Sequence, residues 1–116
     1  MAYIIKHTLT RPSTDVDFTP TLTSTYLTEA SALESSNSVS KETTYSGDNL
    51  QMHLKYTAAD EETYNAFHEN IRQEWRDIGL FGYLADNEIS INSVVEENSW
   101  HWNFFVVILY YDMQFL

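Results

Sequence analysis

Four histidines are the side chains in this sequence best able to bind a metal or move a proton: His7, His53, His68 and His101. His68-Glu69 opens an HExxH-like stretch, but Arg72 stands where the second ligand belongs, and a cation cannot ligate zinc. No two histidines are spaced i, i+2 or i, i+4 on one element, so a metal site, which needs convergent ligands, is not expected. Carboxylates fall in pairs at Asp15 and Asp17, Glu61 and Glu62, and Glu96 and Glu97. Such pairs serve acid–base chemistry when burial drives their pKa values apart. Here Asp60 to Glu62 suits a helix start and Glu96-Glu97 a turn, so solvated acids are expected. Asp15-Val16-Asp17 lacks the glycine and the distal glutamate of an EF-hand loop.

Nucleophilic chemistry has as little to work with. There is no cysteine and no GxSxG elbow, and with only three glycines the phosphate-cradling loops of P-loop and Rossmann proteins are excluded. One cofactor-free route is left, a pocket built from His, Trp, Tyr and Asn, for which His7, Trp75, Trp100 and His101 supply the residue types. Aromatic residues at regular spacing more often form core. No catalytic residue and no cofactor is assigned.

A chain of 116 residues with 43% hydrophobic and 15% aromatic side chains is expected to fold as a single domain, residues 1–116, without disulfide or metal support. Its formal net charge is −11, and residues 59–116 hold eleven acids against two bases. Beyond Arg76 there is no cation at all. Direct nucleic-acid binding, which needs a cationic footprint, is not expected, nor is binding to an anionic membrane. The start, MAYIIKHTLTRP, lacks the apolar segment of a signal peptide.

The elements that must position these residues follow from periodicity. Ala2 to Thr10 alternates, with Tyr3, Ile5, His7 and Leu9 on one face, and Arg11-Pro12 ends the strand. Phe18, Leu22, Tyr26, Ala30 and Leu33 recur at helical spacing, with Thr19 and Pro20 as a start signal; the threonines before residue 26 also suit a strand. Ser38–Tyr45 and Leu50–Thr57 form a hairpin around Ser46-Gly47-Asp48-Asn49, where Gly47 and Asn49 tolerate positive φ. A long helix then carries Tyr64, Phe67, Ile71, Trp75 and Ile78 on one stripe, with Thr57 and Asp60 read as a capping box and Gly79 as the stop. Leu80–Asp86 reads as a connector, Glu88–Glu96 as a strand and Glu97-Asn98-Ser99 as a turn. Trp100 to Tyr111, apolar on both faces, reads as an extra C-terminal strand.

Strand, helix, strand, strand, helix, strand is the order of an α+β, ferredoxin-like βαββαβ antiparallel sheet. The block YSGDNLQMHLKYTAADEETYNAF resembles the hairpin-then-helix block of small proteins encoded by tailed phages, including phages of marine cyanobacteria. The arrangement also resembles the dimeric α/β-barrel proteins, in which two sheets pack face to face. These resemblances imply a non-catalytic assembly or binding protein, possible virion component included, working in host cytoplasm or virion. They also leave open a small cofactor-independent α/β-barrel enzyme with a pocket near His7. The acidic balance adds a third candidate, a DNA mimic that blocks a host nucleic-acid enzyme. The final apolar run is too short to span a bilayer and would aggregate if uncovered. A homo-oligomer is therefore expected, covering the face the helices leave open, with Trp100, Trp102, Phe104, Val106 and Ile108, or Phe105, Val107, Leu109 and Tyr111, at its interface.

Overall fold

The computed structural model describes residues 2–98. The predicted strand from Trp100 and the interface set Trp100, Trp102, Phe104, Phe105, Val106, Val107, Ile108, Leu109 and Tyr111 lie outside them. The described residues form β1 (Tyr3–Thr10), α1 (Ser24–Ser36), β2 (Ser40–Tyr45), β3 (Gln51–Ala58), α2 (Glu61–Asp77), α3 (Leu80–Asp86) and β4 (Ser90–Asn98). The class is α+β: an open antiparallel sheet of order β2-β3-β1-β4, with the helices on one side.

Alternation decides which side is which. Tyr3, His7 and Leu9 of β1 and Met52, Tyr56 and Ala58 of β3 are buried under the helices. The opposite face carries transverse rows of polar residues: Glu42, Lys55, Lys6 beside Val94, then Thr44, His53, Thr8 and Asn92. A one-residue bulge in β4 opposite Ile4 and Ile5 gives Glu96 no partner in β1. Its carboxylate lies 3.7 Å from Lys6 and 3.1 Å from Lys55. Polar-out alternation of this kind is what water covers in an antiparallel sheet.

Helix α2 buries Tyr64, Phe67, Ile71 and Trp75, the predicted stripe, with Ile78 packed at its edge. Its N-cap is Asp60, whose side chain accepts from the Thr63 N–H at 2.7 Å; Thr57 belongs to β3, so the predicted capping box is replaced by a single cap three residues later. Gly79 follows the C-cap at φ +73°, the left-handed conformation that releases the chain from the helix.

Four other expectations are corrected. Helix α1 is capped by Thr23, which accepts from the Tyr26 N–H at 3.1 Å, so Thr19-Pro20 is loop and Phe18 packs from it. Leu80–Asp86 is helix, because Leu80 and Leu84 meet the core one turn apart. In the hairpin turn Asn49 has φ +60° and Gly47 has no positive φ; the Asp48 carboxylate, accepting from Ser46 Oγ and the Leu50 N–H, shapes the turn instead. Finally, β4 continues through Glu97 and Asn98, which pair with Ile4 and Tyr3, where a turn was expected.

One device appears twice. Asn37-Ser38-Val39 and Asn87-Glu88-Ile89 end α1 and α3 alike, with Ser38 at φ +53° and Glu88 at φ +57°. In each, the third residue's N–H reaches back to a helix carbonyl at 2.9 Å and its side chain is buried. The Asn side chain donates to another carbonyl of the last turn, Leu33 or Tyr83. These Schellman-like exits aim the chain into β2 and β4.

Candidate functional site

Helix α1 covers the sheet thinly. Ala30 is its one fully buried residue, while Tyr26 and Leu33 pack only in part. A cleft of about 860 Å³, which Ala30 lines from the helix, lies between α1 and the sheet. That size lies within the range of small-molecule sites. Its floor is Leu9, Met52, Leu54 and Tyr56 from the sheet, and Trp75, Phe18 and Arg11 line it too.

The rim is where apolar surface is exposed. Leu22, Leu27, Tyr45, Phe81 and Ile91 are the exposed large apolar side chains of the described residues, and every one lines this cleft. Single exposed apolar residues are ordinary, but a patch gathered round one concavity marks a contact surface.

His7, Arg11, Lys41 and Glu34 around the cleft are already engaged. His7 Nδ1 lies 2.6 Å from Ser93 Oγ and Nε2 lies 3.1 Å from the Tyr64 hydroxyl, so a neutral imidazole donates to one hydroxyl and accepts from the other. The ring is boxed edge-on by Tyr56 and Trp75. Burial, with the nearby His68 adding to it, lowers its pKa to about 4. Arg11 donates to the carbonyls of Asn49 and Val16 at 2.9 Å each and stacks on Phe18 with its guanidinium carbon 4.1 Å from the ring centre. Lys41 and Glu34 pair across the mouth at 3.5 Å.

Two phenols differ from these. Trp75 Nε1 donates to the Tyr26 oxygen at 3.1 Å, tying α2 to α1, which leaves the Tyr26 proton without an acceptor among the described residues. Tyr56 has no hydrogen bond to its hydroxyl there, although the residue is only 2% exposed. No fully buried side-chain N or O lacks a partner among the described residues, so the Tyr56 hydroxyl must reach solvent, and the cleft its ring lines is the space it opens on. Burial raises both phenols' pKa values, keeping them protonated and hence donors.

Of the residues read from the sequence as candidates, His7 and Trp75 meet at the cleft, their rings 6.1 Å apart. Trp100 and His101 lie outside the described residues. His53 is on the open face beside Thr8, 3.0 Å away, and His68 stacks on Tyr64. Among the described residues no group of three or more His, Asp or Glu could hold a metal ion, and no helix is long and apolar enough to cross a membrane. The sequence reading missed Tyr26, Tyr56 and Arg11. Tyr56 carried a signal, a polar-tipped ring facing inward on β3; nothing in sequence placed α1 far enough off the sheet to open a cleft above it.

Fold and site together define a small α+β protein with an apolar, phenol-bearing cleft between one helix and an open antiparallel sheet. No family model matches the chain, and no curated protein does. Among solved structures it is similar to the de novo designed protein Foldit4, at 12% identity and a TM-score of 0.42, over 84% of this chain and 100% of that one.

Proposed function

We propose that the protein is a non-catalytic binding protein whose ligand site is the cleft between α1 and the sheet. The observation that carries this is the gathering of all the exposed large apolar side chains of the described residues round that one concavity. The cofactor-free enzyme reading has a His and a Trp in the pocket in its favour. Against it stands the chemistry of His7: both ring nitrogens are held, and a conjugate acid of pKa about 4 makes a weak base.

The sheet order read from the other edge, β4-β1-β3-β2 with every neighbouring pair antiparallel, supports a ferredoxin-like arrangement of the domain. Assembly is the second reading, as a homo-oligomer and, by the phage resemblance, in a virion setting. The same apolar rim favours it, because a second copy would cover what water now touches. Fragment screening by amide NMR on the full chain separates the two. Small apolar fragments are expected to shift Leu9, Met52, Leu54 and Ala30. Hits confined to the polar sheet face, or a tight dimer that excludes every fragment, would sink the ligand site and leave assembly.

A further inference from the structure

We infer that the cleft selects an uncharged, largely apolar molecule that presents a carbonyl oxygen to the hydroxyls of Tyr56 and Tyr26. This rests on the cleft being a ligand site and adds what the ligand must be. Apolar walls at Leu9, Met52 and Leu54 favour a hydrocarbon or aromatic body. Two protonated phenols line the cleft, Tyr56 from the sheet and Tyr26 from α1. One donates its proton to nothing among the described residues, and the other has no partner there at all. Both therefore call for an acceptor. A ligand that displaced water from these hydroxyls without offering an acceptor would strand a donor, and a ligand carbonyl supplies that acceptor without bringing charge.

Charge decides between a carbonyl and a carboxylate. The charged groups lining the cleft are Arg11, Lys41, Asp17 and Glu34, two of each sign. Lys41 is paired with Glu34, and Arg11, donating to two main-chain carbonyls, shares the lining with Asp17, so the cleft carries no net positive charge to draw an anion. The Glu34 carboxylate acts on both phenols, adding to the upward shift of each pKa, so an anionic ligand seated on them would meet that charge as well. A neutral ketone, ester or amide avoids this repulsion.

The test uses the full chain and three probes of similar size: the uncharged naphthalene ketone Prodan, dimethylaminonaphthalene without the ketone, and anionic anilinonaphthalene sulfonate. Prodan is expected to bind tightest. Tyr56→Phe, which removes a hydroxyl the fold does not use, is expected to weaken Prodan about fivefold to tenfold and leave dimethylaminonaphthalene unchanged. Equal effects on the two, or none on Prodan, would overturn the carbonyl assignment while the cleft stands. Tighter binding of the sulfonate would overturn the neutral preference. Thr43→Trp, an exposed strand position on the cleft wall, is expected to block all three. Binding that survives it, or no binding of any probe, would overturn the cleft itself as a small-molecule site and give it to a protein segment.

Discussion

Helices α1 and α2 lie over the same face of one sheet and hold it in different ways. α2 sets four large side chains into the core, and Phe67 among them is 0% exposed. α1 sets one alanine, and its Leu27 is 52% exposed on the cleft rim. The difference is written in composition: α2 repeats an aromatic or isoleucine every three to four residues, while α1 (STYLTEASALESS) spaces small and hydroxyl side chains between its few apolar ones. A helix with a full stripe becomes scaffold, and one with a thin stripe leaves room under it. The full stripe holds the core, and the thin one borders the cleft.

The sharpest way to break that comparison is to cut both stripes. Phe67→Ala is expected to cost about 3–5 kcal/mol, because a fully buried ring leaves a cavity that its neighbours Tyr56 and Tyr64 cannot fill. Leu27→Ala is expected to change stability by less than about 0.5 kcal/mol, as for other surface truncations. Urea unfolding of both variants checks this. Comparable losses would mean that α1 is as much core as α2, and the cleft would not be a site held apart from the scaffold.

Acid sharpens the comparison next. His7 sits where the α2 scaffold meets the cleft, and its pKa in the fold, about 4, is below the usual 6.5 because burial penalises the charged ring. A lowered folded value means that the unfolded chain takes up the proton first. The stability His7 contributes is therefore complete above about pH 6.5 and is lost as pH falls towards about 4, by on the order of 2–3 kcal/mol. His68, shifted down by burial and by Arg72, acts in the same direction. His7→Gln keeps a side chain able to donate and accept without titrating. Urea midpoints from pH 7 to pH 4 are expected to fall less in that variant than in the parent. Parallel curves would show that His7 does not control the acid response.

How much of this the sequence revealed depends on how local the cause was. The α2 stripe, the inward face of β1 and the alternation of β3 were legible because periodicity alone produced them. The caps were misread by three or four residues, since Thr19, Thr23, Thr57 and Asp60 all carry capping oxygens and only the packed helix chooses among them. α3 was taken for a connector because seven residues with a central glycine give periodicity too little length to register. His7 was placed on the correct face, yet its two hydroxyl partners come from residues 57 and 86 positions away, which no local pattern shows. The polar open face was equally readable in the residues between the apolar ones.

The smallest effect probes the seam that joins the two helices. A hydrogen bond to Glu29 of α1, then desolvation and the charges of Glu29 and Asp77, push the Glu74 pKa of α2 upward from its ordinary value. A raised folded value means that the fold favours the protonated acid. Its contribution is present at low pH and is lost as pH rises through that value, after which two carboxylates repel across the seam. Glu74→Gln keeps a donor for Glu29 and removes the second charge. Because the site is open to water, a gain of only about 0.5 kcal/mol or less is expected at neutral pH and low salt, disappearing with added salt or near pH 4. Thermal melts at the two pH values, with and without salt, measure it. If the gain appears together with altered Prodan binding, the seam sets how far α1 stands from the sheet, and the thin helix is tuned by charge as well as by its alanine. If stability rises with binding unchanged, the width of the cleft is fixed by packing at Ala30 and by the Trp75–Tyr26 bond alone.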